Sequence, residues 1–250
     1  MNGSEISNLP VFGFILLSMT IIICSTIKDA YFCFMQVTNE FLQNLRQDYK
    51  SATLDEADVD NNPITQFKKW FDHAVEAQVY EPNVMTLATA DKAGRPDARI
   101  VLLKGVDEDG FRFFTNYLSA KGKELKRNPF AALVFFWPDL ERQVRIEGIV
   151  EKLDKETSEA YFLTRPVASQ IGAVASPQSQ VIPSREFLEE KFEELKSKSE
   201  GKNIAKPAHW GGYIVKPTRI EFWQGRRSRL HDRINFELVK GNWTKVRLAP

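Results

Sequence analysis

From Ile64 onward, Ile64, Phe67, Trp70, Phe71, Ala74 and Val75 recur at helical spacing, so one apolar stripe runs along an amphipathic helix and must dock on another surface. Pro63 suits the first turn of that helix. Beyond it the period shortens. Val84 to Ala90, Asp97 to Lys104, Phe111 to Asn116, Phe130 to Trp137 and Gln143 to Leu153 are predicted strands, separated by turns such as Asp91-Lys92-Ala93-Gly94 and Asp107-Glu108-Asp109-Gly110. Ser119 to Asn128 and Asp154 to Thr164 read as short helices. Ser184 to Lys198 reads as a charged helix with Phe187, Leu188, Phe192 and Leu195 on its buried side. Three further strands are expected near Gly212 to Val215, Arg219 to Trp223 and Arg229 to Leu238, with Lys240-Gly241-Asn242 turning into Trp243 to Leu248. Strands outnumber helices and several are joined by tight turns. The pattern therefore favours a mainly antiparallel barrel with peripheral helices over a doubly wound sheet.

The N-terminal quarter breaks this pattern. No charged side chain stands between Ile6 and Ile27, and the stretch is just long enough to span a bilayer. Pro10, Gly13, Ser18 and Thr20 interrupt it, no basic region precedes it, and Lys28 is followed at once by Asp29, so the flanks set no orientation. Residues 1–36 are thus a hydrophobic leader. The expectation is a cytoplasmic protein, with membrane attachment through residues 9–27 as the alternative. Residues 37–62 are polar and acidic and read as a mobile arm, and 63–250 form the main domain.

Composition narrows the chemistry. The 250 residues carry 34 Lys+Arg against 33 Asp+Glu, a net +1, which excludes a global polyanion-binding surface. Hydrophobic residues at 43% and charged residues at 27% are ordinary globular values, so wholesale disorder is excluded as well. Both cysteines, Cys24 and Cys33, lie in the leader, which removes disulfides, zinc-cysteine sites and a cysteine nucleophile from the body. Lys121-Gly122-Lys123 lacks the upstream glycine of a phosphate-binding loop. His73, His209 and His231 have no partner at metal-ligand spacing.

What remains is basic side chains on strands. In Arg229-Leu230-His231-Asp232-Arg233, strand alternation puts Arg229, His231 and Arg233 on one face, where three cations call for an anion or an acidic partner. Trp223-Gln224-Gly225 just before them adds an aromatic plane suited to a planar phosphorylated ligand. Arg99 and Lys104 bracket Ile100 to Leu103 and point to opposite faces. Gln143, Arg145 and Glu147 share a face, which equally fits an internal ion pair. Arg165 and Ser169 sit on a loop after a helix, a suitable place for a phosphate. Nucleic acid is the competing anion, but the basic residues alternate with acids instead of forming a stripe.

Together these segments resemble the pyridoxamine (pyridoxine) 5′-phosphate oxidase family, flavoenzymes of vitamin B6 metabolism with an FMN-binding split β-barrel. The resemblance runs from about Arg46 to Pro250. Its most specific segments are Arg99-Ile100-Val101-Leu102-Leu103-Lys104, Phe113-Phe114-Thr115-Asn116, Glu141-Arg142-Gln143-Val144-Arg145, Tyr161 to Ala173, Trp210-Gly211-Gly212-Tyr213, Glu221 to Gly225 with Arg229 to Arg233, and the terminal Arg247-Leu248-Ala249-Pro250. It implies a homodimer with FMN at the subunit interface. FMN would contact Arg99, Ile100, Val101, Leu102, Phe114, Thr115, Lys121, Gln143, Gln178, Ser179, Trp223 and Arg233. The substrate, pyridoxamine 5′-phosphate or pyridoxine 5′-phosphate, would fall to Lys104, Tyr161, Arg165, Ser169, Arg229 and His231, with Arg46 and Tyr49 on an arm that folds over the site. Arg229 and His231 are the implied catalytic residues, dioxygen the electron acceptor, and no metal is implied.

The sequence departs from that family's pattern at Ala120, where an arginine is usual, at Gln180, where a serine is usual, and in the leader. Two other readings follow from these departures. One is a carrier that binds FMN or pyridoxal phosphate without turnover, and the other is a membrane-tethered scaffold with a vestigial barrel.

Overall fold

The computed structural model describes residues 38–45, 47–199 and 203–250. The leader and Arg46 lie outside the described residues. The chain divides into two units, Met1–Arg46 and Gln47–Pro250. In the first, helix α1 spans Asn39–Asn44 and is capped by Thr38, whose hydroxyl accepts the Phe41 N–H at 3.1 Å.

The second unit begins with helix α2 (Pro63–Glu76), which starts where the sequence predicts it. Asn62 caps it by accepting the N–H groups of Ile64 and Thr65, and Pro63 occupies the position where no intrahelical N–H is needed. Its stripe buries Ile64, Phe67, Trp70 and Ala74, while Val75, expected on the same stripe, is exposed. Phe67 meets Phe111 edge-on at 4.9 Å and Phe135 at 5.0 Å, and Trp70 meets Phe222 edge-on at 5.2 Å. This aromatic layer fixes the helix on the sheet.

Nine strands form that sheet: β1 (Val84–Ala90), β2 (Pro96–Leu102), β3 (Gly105–Asp107), β4 (Gly110–Asn116), β5 (Phe130–Trp137), β6 (Arg142–Lys152), β7 (Trp210–Gln224), β8 (Asp232–Val239) and β9 (Asn242–Arg247). The order is β2-β1-β5-β6-β7-β4-β3, with β8 on β7 and β9 on β8, and every ladder is antiparallel. Helices α3 (Ala120–Arg127), α4 (Lys155–Thr164), α5 (Val167–Ala175) and α6 (Arg185–Lys198) lie in the connections. The expected antiparallel architecture with peripheral helices is therefore found. Among the described residues no helix is long and apolar enough to cross a membrane.

Several boundaries differ from expectation. The two strands expected near 212–215 and 219–223 are one, β7, whose first part pairs with β4 and whose last part pairs with β8, while β6 follows its other edge past a bulge at Glu147/Gly148. Pro217 sits between the two pairings, so its missing N–H costs no bond on that edge. The strand expected over 97–104 is β2 and ends at Leu102, and a separate short strand, β3, follows at Gly105–Asp107. Residues 167–175 are helical, not a loop, and α6 leaves Phe187 exposed with Leu188, Phe192 and Leu195 only half-buried. Arg229 is not on a strand.

Residues 47–62, whose composition suggested a mobile arm, are fastened to the sheet. Leu54 and Val59 are buried. Arg247 binds Glu56, Asp55, the Leu54 carbonyl and Asp232, and Lys245 donates to the carbonyls of Glu56 and Val59. The Arg247 hydrogen bonds pull the Glu56 carboxyl down to about 2.

Candidate functional site

A cavity of about 590 Å³ opens beside β2 and β4 and is walled by α3, α4, α5 and the start of β7. Strand β2 contributes Ile100, Val101 and Leu102, with Lys104 just after it. Strand β4 contributes Phe114, Thr115 and Asn116. Lys121 enters from the first turn of α3, Tyr161 from α4, Arg165 from the α4–α5 junction, Ser169 from α5, Gln178 from the following loop and Trp210 from β7. Of the residues implied for the cofactor, Ile100, Val101, Leu102, Phe114, Thr115, Lys121 and Gln178 line it, and of those implied for the substrate, Lys104, Tyr161, Arg165 and Ser169 do.

The electrostatics of this cavity are one-sided. Three cationic side chains line it and no acidic one does. Lys121 is buried, and its ammonium donates to the Thr115 hydroxyl at 3.3 Å, while Thr115 donates to Gln178 Oε1 at 3.1 Å. Burial, and then the nearby Arg99, push the Lys121 pKa below its ordinary value, against the pull of Glu124 and Asp97. The α3 turn that presents Lys121 is tight. Ser119 caps it, and a Cβ at Gly122 would lie 2.3 Å from the Tyr117 carbonyl oxygen, so only glycine fits. Arg165 is half-buried, its Nη1 has no hydrogen-bond partner, and burial lowers its pKa. An electropositive cavity with underused donors is matched by an anion, above all a phosphate ester.

The walls are aromatic. Phe114 and Tyr161 stack at 3.9 Å with planes 21° apart, and Trp210 lies parallel to both, at 5.6 Å from Phe114 and 6.2 Å from Tyr161. The neighbouring backbone is built around them. Gly212 pairs with Phe114 across the β4–β7 ladder, and a Cβ there would come within 2.8 Å of the Phe114 ring.

Arg99 does not line the cavity. It turns to Asp97 and Glu124, and also donates to the Leu87 carbonyl at 3.3 Å and to the Thr89 hydroxyl. Glu124 is on α3 and Thr89 on β1, so Arg99 ties the helix carrying Lys121 to the sheet.

A second cluster of expected residues lies apart from the cavity lining. Gln143, Trp223 and Arg233 are direct neighbours across β6, β7 and β8, so they form a row on one face. Trp223 packs against His231 at 4.6 Å, and Tyr49 is edge-on to both, at 5.7 Å from Trp223 and 5.8 Å from His231. Arg233 makes a two-pronged ion pair with Glu221 at 3.2 and 2.8 Å and also donates to the Ala249 carbonyl. Glu221 is buried and draws in Arg145 as well. Arg145 in turn pairs with Glu147 at 3.2 Å, so the internal ion pair is the arrangement found there.

The strand reading of Arg229, His231 and Arg233 is corrected. Arg227–Arg229 form a short 3-10 turn with Ser228 at φ 55° and Arg229 at φ 61°, and β8 begins only at Asp232. Strand alternation therefore does not align Arg229 with Arg233. His231 Nδ1 accepts the Arg226 N–H at 3.1 Å, which leaves Nε2 to carry the proton of the neutral ring. Burial, then Arg229, push its pKa below the ordinary value, with Asp232 pulling the other way. Ser179, also at positive φ, follows Gln178 without lining the cavity.

Sequence reasoning did not single out Trp210, Asn116 and Ser176 as lining residues, nor Glu141 as the acceptor of the Lys50 and Ser51 N–H groups beside Tyr49, nor Glu221 as the partner of Arg233. Asn116, Glu141, Glu221 and Trp210 stood in quoted motifs, Trp210 at the head of its own. What gives it a role is its register opposite Asn116, which only the sheet reveals.

Comparison with known proteins bears on this site. Residues 71–199 match the family model described as pyridoxamine 5′-phosphate oxidase, and residues 210–250 match the pyridoxine 5′-phosphate oxidase C-terminal dimerisation region. The chain is 57% identical over 210 residues to the pyridoxine/pyridoxamine 5′-phosphate oxidase of Cupriavidus necator, covering 84% of this chain and 99% of that protein. It is 54% identical to the enzyme of the same name from Leptospira interrogans, covering 84% and 98%. Among solved structures it is similar to PhzG from Burkholderia lata in complex with tetrahydrophenazine-1-carboxylic acid, at TM-score 0.77 and 29% identity, covering 82% of this chain and 100% of that one. A pyridoxamine 5′-phosphate oxidase-related, FMN-binding protein from Nostoc punctiforme shares the fold at TM-score 0.62 and 19% identity, covering 77% and 100%.

Proposed function

The chain belongs to the pyridoxamine 5′-phosphate oxidase family, and from that membership we propose that it oxidises pyridoxamine 5′-phosphate and pyridoxine 5′-phosphate to pyridoxal 5′-phosphate, with FMN as cofactor and dioxygen as acceptor. The observation that carries the reading on this chain's own residues is the cavity with three cations and no acid, flanked by parallel aromatic faces. Buried Lys121 and the orphaned Nη1 of Arg165 fit phosphorylated planar groups.

When bound, FMN would supply a two-electron acceptor for hydride from the vitamer's C4′ carbon and would pass the electrons to dioxygen, giving hydrogen peroxide; the alcohol yields the aldehyde directly, whereas the amine also consumes water and releases ammonia. The chain's work is to bind and orient. Lys121, Thr115 and Gln178 hold the flavin end of the cavity, with the β2 residues Ile100 to Leu102 along its edge. Lys104, Tyr161, Arg165 and Ser169 hold the substrate phosphate. Arg229 and His231 position the reacting end, and neutral His231, its Nδ1 occupied by the Arg226 N–H, presents Nε2–H as a donor. The parallel faces of Phe114, Tyr161 and Trp210 would limit the planes in which an aromatic ring can lie in the cavity.

The protein works as a homodimer in this reading. The row Gln143–Trp223–Arg233 and the Tyr49–His231 pair do not line the cavity of their own chain, and they lie in or next to the segment matching a dimerisation region. A second protomer that turns this row toward the cavity would complete the site, and Tyr49 would close over it. The compartment that goes with this reading is the cytoplasm, and a fluorescent fusion of residues 1–36 tests the membrane alternative. The reading itself is tested by turnover of pyridoxine 5′-phosphate against unphosphorylated pyridoxine. Conversion confined to the phosphorylated form supports it, and equal conversion of both removes the phosphate role of the cavity.

A further inference from the structure

Arg165 is held in an unusual electrostatic state for a half-buried cation. Its backbone is fixed at the end of α4, where its N–H donates to the Phe162 carbonyl, its own carbonyl accepts Gln170 Nε2 at 2.8 Å, and Pro166 follows. Among the described residues no carboxylate pairs with its guanidinium, and Nη1 is buried without a hydrogen-bond partner. What lies against it is an aromatic face. The guanidinium carbon sits 4.8 Å from the centre of the Trp210 ring and 5.7 Å from that of Phe162.

Trp210 is itself immobilised. It is 6% exposed, parallel to Phe114 and Tyr161, and edge-on to Phe162 at 5.1 Å. Its backbone N–H donates to the Pro207 carbonyl, and its carbonyl accepts the Lys206 ammonium at 3.1 Å.

These contacts solve a specific problem. A carboxylate beside Arg165 would hold the side chain but would occupy the planar fork of N–H donors that an incoming oxyanion needs. An indole face attracts the same cation through its quadrupole and uses none of those donors. We propose that Trp210 is a positioning residue whose ring holds the Arg165 guanidinium un-neutralised in the cavity, so that the fork is free for the phosphate ester of the substrate. The proposal deepens the reading above and rests on it for the identity of the phosphorylated ligand. Trp210 acts through Arg165, so its removal is expected to weaken phosphate binding, and only while Arg165 is present.

The experiment uses the full-length, FMN-loaded protein, with Trp210→Leu, Trp210→Phe, Arg165→Ala and the double variant. Two quantities are measured for each: KM and kcat with pyridoxine 5′-phosphate, and the Kd of inorganic phosphate by calorimetry. Loss of the cation–π contact predicts that Trp210→Leu raises KM and the Kd of phosphate together, each by roughly tenfold. Trp210→Phe, which keeps a smaller face, falls between the two. In the Arg165→Ala background, Trp210→Leu adds no further loss, because the group it positions is gone. A Trp210→Leu effect of full size in that background, or a fall in kcat at unchanged KM, overturns the proposal. Should the leucine variant fail to fold, Trp210→Met, apolar and without a π-face, carries the same comparison. A parent protein that binds phosphate through Arg165 but oxidises neither vitamer defeats the oxidase reading, and the Trp210 proposal is then decided by the phosphate Kd alone.

Discussion

Tyr49 stands edge-on to Trp223, ring centroids 5.7 Å apart and planes at 89°, although 174 positions separate them in the chain. The contact is held by Glu141, at φ 52°, whose carboxylate accepts the N–H groups of Lys50 and Ser51 at 2.8 and 2.9 Å. Gly225 makes room, since a Cβ there would come within 2.8 Å of the Tyr49 ring. Replacing Glu141 with alanine removes both acceptor contacts, which at this exposed position are worth about 1 kcal/mol. The expected outcome is faster proteolytic cleavage ahead of Leu54 by roughly fivefold, with the melting temperature of the body nearly unchanged. Limited proteolysis followed by mass spectrometry checks it, and Glu141→Gln, which retains an acceptor oxygen, should restore most of the protection.

The His231 environment gives a pH dependence with a definite sign. Burial and Arg229 depress its folded pKa below the ordinary 6.5, so between that lowered value and 6.5 the unfolded chain binds more protons than the folded one. The His231 contribution to stability is present above 6.5 and is lost as pH falls through the folded pKa. The acid limb of turnover should follow the same group. Arg229→Ala removes a cationic neighbour and should move that limb toward higher pH, as read from kcat/KM against pH or from the imidazole NMR shift.

Lys121 should dominate retention of the phosphorylated cofactor. Substituting methionine preserves the apolar stem and deletes the ammonium, and loss of a charge-assisted contact to phosphate is expected to weaken FMN binding by about 1.5 to 3 kcal/mol, roughly ten- to a hundredfold in Kd. Because burial and Arg99 lower the Lys121 pKa, the ammonium is lost at a lower pH than the ordinary 10.5. FMN affinity in the parent should therefore decline on the alkaline side before free lysine would titrate. Fluorescence titration of the flavin across pH checks both statements.

The aromatic layer under α2 is the main stabilising contact between that helix and the sheet. Phe67 is fully buried among Phe71, Phe111, Phe135 and Trp137. Phe67→Ala should cost about 3 to 5 kcal/mol through lost transfer energy and a residual cavity. Chemical denaturation measures this as a lower midpoint at unchanged slope.

Local periodicity made most elements legible, because period and caps are encoded within a few residues. Ser119, Asp154 and Ser184 all cap the helices expected after them, and β1 and β5 have the expected ends. What failed was information carried by distant partners. Nothing near Pro217 says that β7 continues through it, because the continuity is supplied by β6. The alternation argument for Arg229 failed because two consecutive left-handed residues, Ser228 and Arg229, turn the chain just before β8. The polar segment 47–62 looked unattached because its anchors, Glu141, Asp232, Lys245 and Arg247, are all remote in sequence. The cavity residues were legible chiefly as a family resemblance. The geometry adds which of them share one cavity and which stand on the opposing row.

The central claim is tested most directly by mixing the purified, FMN-loaded protein with pyridoxamine 5′-phosphate in the absence of oxygen and following the visible flavin band. The account predicts that the band bleaches in proportion to substrate, that pyridoxal 5′-phosphate and ammonia appear in equal amounts as water is consumed, and that admitting air restores the band with release of hydrogen peroxide. A flavin band that persists unchanged with both pyridoxamine 5′-phosphate and pyridoxine 5′-phosphate would contradict it.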